Sequence, residues 1–109
     1  MIRKRVHKIL LFGVIVLLSS FNSFGQYNSE DELKKGAQEL FDDGKYDKAL
    51  PLYSQLLSTY PKDVNYNYKY GACLLIGSEK KDDALRYLKF SITKSTVEPL
   101  AYYFLAKAY

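Results

Sequence analysis

LKKGAQELFDDGKYDKALPLYSQLLSTYP, the stretch from Leu33 to Pro61, decides the fold. It reads as two amphipathic helices joined by a tight turn. Small residues stand where helices must touch, at Gly36, Ala37 and Ala49. Larger ones fill the space between them: Leu33, Leu40, Phe41, Tyr46, Leu50, Tyr53, Leu56 and Leu57. Gly44 falls just after the first helix, where a left-handed residue ends it. Pro61 falls just after the second, where a missing N–H stops it.

The pattern recurs. NYKYGACL, Asn67–Leu74, repeats the first helix, and Ala84, Leu85 and Leu88 repeat the second. AYYFLAKAY, Ala101–Tyr109, opens a third copy. A period of about 34 residues is that of a helical repeat array. At these positions the chain resembles a tetratricopeptide (TPR) repeat protein. Ala37 matches the small position of the first helix, Gly44 and Tyr46 the turn, Ala49 and Tyr53 the second helix, and Pro61 the end. The resemblance implies an all-α solenoid of antiparallel helix hairpins. It would hold two full repeats, about 30–63 and 64–98, and the first helix of a third, 99–109. The second repeat departs from the family pattern, with an extra turn residue between Gly77 and Lys81, Lys81 in place of the turn aromatic, and Thr96 in place of the closing proline. Those departures predict a looser turn and a looser joint after it.

Helix boundaries follow from caps. Ser29 and Glu32 form a capping box, and Glu30 and Asp31 suit the positive end of the helix dipole, so a helix is expected from about Glu30 to Asp43. Asp47 is the expected cap of the second, which runs to about Tyr60 with Pro51 near its first turn. Asp63 caps a third, Val64 to Ile76, with Gly77 as its stop. A fourth runs from about Lys80 to Lys94, and Pro99 sits near the start of a fifth. The run Tyr66, Tyr68, Tyr70 alternates too fast for one helix face, so some of these rings pack inward and at least one faces outward.

Residues 1–25 have the three parts of a secretory signal peptide. Arg3, Lys4, Arg5 and Lys8 precede the apolar run Ile9–Leu18, and Ser23 and Gly25 stand at −3 and −1 of a cleavage site before Gln26. About ten apolar residues are too few to cross a bilayer core of roughly 30 Å comfortably; the competing reading is an uncleaved N-terminal anchor. Residues 26–29 form a linker. The four basic residues of the leader account for the whole net charge of +4, and from Gln26 onward twelve basic and twelve acidic residues balance. No basic face for nucleic acid or an anionic membrane is implied.

Chemistry has few candidates. The one histidine, His7, lies in the leader, so the mature chain lacks a group for neutral-pH proton transfer. One cysteine, Cys73, excludes an intramolecular disulfide; a buried inert thiol competes with an intermolecular or redox role. Asp42–Asp43 and Asp82–Asp83 lie beside turns and lack the alternating oxygens of a calcium loop. No metal, cofactor or catalytic residue is expected, and the chain is not read as an enzyme.

Binding is the alternative. In TPR proteins the first helix of each repeat lines a concave groove, and carrying those positions over gives Lys34, Gln38, Phe41, Asn65, Tyr68, Ala72, Leu75, Tyr103 and Lys107. The clamp that holds chaperone tails in some TPR proteins is excluded, because only Lys34 matches it while Gln38, Lys69, Leu100 and Phe104 do not. The leader followed by YNYKYGACLL (66–75) and KDDALRYL (81–88) is similar to the N-terminal region of Bacteroidetes-type envelope proteins with TPR, β-propeller and OmpA-like domains. That resemblance implies an exported scaffold in the periplasm or at the periplasmic face of the outer membrane. It would bind a protein or peptide partner and reach peptidoglycan only through domains beyond this chain, with a link to type IX secretion or gliding. Two other readings stay open: the sensor segment of a histidine kinase or regulator, and a small adaptor that self-associates through its last helix. The third repeat stops midway, which gives the expectation of an N-terminal piece of a longer protein.

Overall fold

The computed structural model describes residues 27–109, so the leader expected at 1–25 lies outside the described residues. Five α-helices and no strand make up the described residues: α1 Glu30–Asp42, α2 Tyr46–Thr59, α3 Val64–Gly77, α4 Lys81–Ser91 and α5 Leu100–Ala108. The fold is all-α. Each helix packs on the next in the chain, and α3 also meets α5. Three-residue connections at 43–45 and 78–80 leave α1/α2 and α3/α4 no arrangement but antiparallel hairpins.

The start of α1 follows its sequence. Glu32 N–H donates to Ser29 Oγ at 3.2 Å, and Glu32 Oε2 reaches back to accept from Asn28 N–H at 3.0 Å. The reciprocal half of the capping box thus falls one residue before the cap. Leu33, Ala37 and Phe41, spaced by four, form its buried stripe. Its end is a Schellman motif: Lys45 N–H donates to the Leu40 carbonyl at 2.8 Å and Gly44 N–H to that of Phe41 at 3.0 Å. Gly44 carries the φ of 75° that this motif needs. The helix stops at Asp42 and Asp43 serves as its cap.

Several boundaries differ from expectation. The residue before α2 is Lys45, which makes no side-chain cap, and Asp47 lies inside the first turn. Pro51 is the sixth residue of α2 rather than a first-turn residue, so the Asp47 carbonyl loses its ladder partner; the site faces solvent, where water replaces it. Asp63 caps α3 as expected, accepting from Tyr66 N–H at 2.9 Å. Gly77, however, is the last residue of α3 and has no positive φ. Its role is closeness: a Cβ there would lie 2.9 Å from the Asp47 backbone nitrogen, so α3 ends against the start of α2. α4 ends at Ser91, short of Lys94. Pro99 stands just before α5.

α3 is the hub. Residues on nearly all of its sides are buried, including Tyr66, Tyr68, Lys69, Cys73 and Leu74. None of the three tyrosines faces outward: Tyr66 and Tyr68 are buried, and Tyr70 is half-buried with its ring edge-on to Tyr87 at 4.7 Å. Burial pushes the Cys73 thiol up to about 12, so it stays protonated and unreactive at neutral pH. Gly36 touches the Tyr27 ring rather than another helix.

Candidate binding groove

Phe41, near the end of α1, is where three of the first helices meet. Its ring lies 5.9 Å from Tyr68 on α3 and 6.1 Å from Phe104 on α5, and those two rings are 5.9 Å apart. Tyr46 and Tyr53 of α2 meet it edge-on at 5.1 and 6.1 Å. Such edge-to-face pairs add to the burial energy of the rings.

Beside this aromatic knot runs a chain of polar groups. Gln38 Nε2 donates to Asp42 Oδ1 at 2.8 Å. Lys69 Nζ donates to Gln38 Oε1 at 3.0 Å and pairs with Glu98 Oε2 at 3.4 Å. It also sits 4.3 Å above the Phe41 ring centre, a cation–π contact. Glu98 N–H donates to Asn65 Oδ1 at 2.9 Å, and Asn65 Nδ2 donates to the Thr96 carbonyl at 3.4 Å. Asn65 and Lys69 are four residues apart on one face of α3, so together they hold the joint between α4 and α5. The Lys69 ammonium is nearly desolvated and committed inside the protein, to one carboxylate, one amide oxygen and the rings of Phe41 and Tyr68.

Past the knot lies a cleft of about 290 Å³, lined by Phe41 and Asp42 at the end of α1, Tyr46 at the start of α2, and Leu100, Tyr103 and Phe104 of α5. Tyr103 packs its ring 5.3 Å from Phe104, and Lys107, one turn on, places Nζ 5.7 Å from the Tyr103 ring. Tyr68 Oη is buried with no hydrogen-bond partner. Burial first, then the charges of Glu98, Tyr46 and Asp42, push its ionisation up.

The expected groove residues divide three ways. Gln38, Asn65, Tyr103 and Lys107 fall on or beside the polar chain and the cleft. Tyr68 and Ala72 are core residues at 0% exposure and offer no side-chain surface to a partner, and Phe41, 6% exposed, is a core residue whose small remaining surface lines the cleft. α3 is covered on more sides than one helix of a hairpin needs, which is why a position carried over by pattern turned inward. Lys34 is exposed near Glu30 and Leu75 is half-buried against the core, away from both features. Sequence reading missed Asp42, Tyr46, Lys69, Glu98, Leu100 and Phe104 as site residues. Lys69 had a visible signal, its i+4 spacing from Asn65; Glu98 had none, because its partner is 29 positions away.

Among the described residues no group of three His, Cys, Asp or Glu side chains could hold a metal, and no helix is long and apolar enough to cross a membrane. Comparison with known proteins adds no relative: no family model, no curated protein and no solved structure matches the chain.

Proposed function

We propose that this chain is a non-catalytic binding scaffold of the TPR type, whose first helices α1, α3 and α5 present one face to a protein or peptide partner. The observation that carries the reading is the open cleft between α1 and α5, floored by aromatic rings. Two sequential hairpins and a further helix, each packed on its predecessor, are the form such repeats take. Support for a non-catalytic role is chemical: the described residues hold no histidine, and their one thiol is buried and protonated. The signal-like leader supports an exported address in the periplasm or at the outer membrane's inner face, and the resemblance to OmpA-like envelope proteins supports a role in secretion or gliding assemblies. The sensor-segment reading has no separate structural observation behind it, whereas the self-associating reading draws on the exposed apolar side chains of Leu100, Tyr102, Tyr103 and Tyr109 at the last helix.

Site-specific photo-crosslinking in the exporting cell tests this. A crosslinker at Gln38 or Tyr103 should capture a partner, whereas one at Arg86 on the outer helix α4 should not. Capture from Arg86 alone would sink the groove reading. N-terminal sequencing of the exported chain should begin at Gln26, and an intact Met1 in the envelope fraction would instead favour the anchor.

A further inference from the structure

Resting on the groove reading, we propose that the α1/α5 cleft takes a basic–hydrophobic peptide. An aliphatic or aromatic side chain would lie against Leu100, Tyr103 and Phe104, and the neighbouring guanidinium or ammonium would pair with Asp42. Four observations lead there. Asp42 carries the one ionised side chain lining the cleft. Its Oδ1 is oriented by Gln38 Nε2 at 2.8 Å, and its other oxygen accepts no hydrogen bond among the described residues. The groove's buried cation, Lys69, is already neutralised by Glu98, and no residue lining the cleft is a cation for an acidic ligand; the Lys107 ammonium stands one turn further along α5, over the Tyr103 ring. Leu100 and Tyr103 are 55% and 56% exposed, so apolar surface continues beyond the cleft, which a small free amine would leave wet and a peptide would cover.

The hydrogen bond from Gln38 needs the Asp42 side-chain oxygen but not its charge, which helix electrostatics do not account for. Asp42 stands in the last turn of α1 with no basic residue beside it, at the end of the helix dipole that disfavours a carboxylate. Removing its charge should therefore leave folding intact.

The test titrates the full 109-residue chain, ¹⁵N-labelled, with two capped hexapeptides that differ at one position: a leucine followed by arginine, or by glutamate. The arginine peptide should move the amide resonances of Asp42, Tyr46, Tyr103 and Phe104 and bind about tenfold more tightly than the glutamate peptide, the scale of one charge-assisted hydrogen bond. Asp42→Asn should erase that preference while the melting temperature holds or rises. Equal or tighter binding of the glutamate peptide in the same cleft overturns the charge class and leaves the groove reading standing. So does an unchanged preference in Asp42→Asn. Shifts confined to α2 and α4 overturn both readings, and no shift with either peptide overturns the cleft proposal.

Discussion

Tyr66 Oη donates to Glu30 Oε1 at 2.7 Å, tying α3 to the first turn of α1. Tyr53 Oη, on α2, is buried without a partner. Removing a hydroxyl is therefore expected to have opposite effects at the two sites. Tyr53→Phe should leave stability unchanged or raise it by up to about 1 kcal/mol, because a desolvated, unpaired hydroxyl is a cost. Tyr66→Phe should lower the urea midpoint. A clear loss in Tyr53→Phe would reveal a bound water as the missing partner. The Tyr66 bond also carries a pH signature. The Tyr66 hydroxyl first, then that of Tyr60, holds the Glu30 carboxyl below its usual 4.5. A depressed carboxylate stabilises the fold fully above 4.5 and loses that contribution as pH falls through its folded value. The gap between the parent chain and Tyr66→Phe should thus be flat at neutral pH and close below 4.5; a gap that widened in acid would contradict the pairing. None of this was legible in sequence. The alternation of Tyr66, Tyr68 and Tyr70 shows that the rings must diverge, but which hydroxyl finds a carboxylate 36 positions away depends on how α1 lies across α3.

At the scale of the helix, most features written within five residues were readable, with Asp47 and Pro51 the exceptions, and features written by a neighbouring helix were not. Ser29, Gly44 and Asp63 each act on backbone within one turn, and the structure has them where the chain implies. Gly77 looked like a terminator because glycine commonly ends helices; in fact the close approach of α2 selects it. The two kinds of glycine give different substitutions. At Gly77 the added methyl would meet the backbone of Tyr46 and Asp47, which has no rotamer to escape into, so Gly77→Ala should cost about 1–3 kcal/mol. At Gly36 it would meet the ring of Tyr27, a side chain on the segment before α1 that can swing aside. Gly36→Ala should then gain up to about 1 kcal/mol from helix propensity. Thermal melts of the two variants should move in opposite directions. If Gly36→Ala melted as low as Gly77→Ala, the Tyr27 ring would be a fixed part of the core. The early end of α4 has a similar origin. Ile92 to Lys94 are acceptable helix residues, yet the chain must turn there so that Val97 can be buried and Glu98 can reach Lys69.

Across the whole molecule, the joint between α4 and α5 decides how the last helix is held. The sequence implies a loose connection, since Thr96 replaces a closing proline. The structure instead spends two side chains of α3 on it: Asn65 on the Thr96 carbonyl and the Glu98 N–H, and Lys69 on the Glu98 carboxylate. Repeat arrays are stabilised by nearest-neighbour interfaces, so a fault in one joint is expected to stay local. Asn65→Ala removes the acceptor for the Glu98 N–H and leaves that donor on a partly exposed loop, a loss of about 1 kcal/mol. Native-state hydrogen exchange should then speed up about fivefold in α5, whose opening the joint controls, and hardly at all in α1 and α2. An equal increase in all five helices would mean that the chain opens as one cooperative unit, and that α5 is held by its apolar contacts through Ala101, Phe104 and Ala108 rather than by the joint. The proposed groove depends on the outcome: Leu100 and Tyr103 stay opposite Asp42 only while α5 stays docked, so a joint that loosens locally would also weaken the peptide binding proposed for the cleft without unfolding the first hairpin.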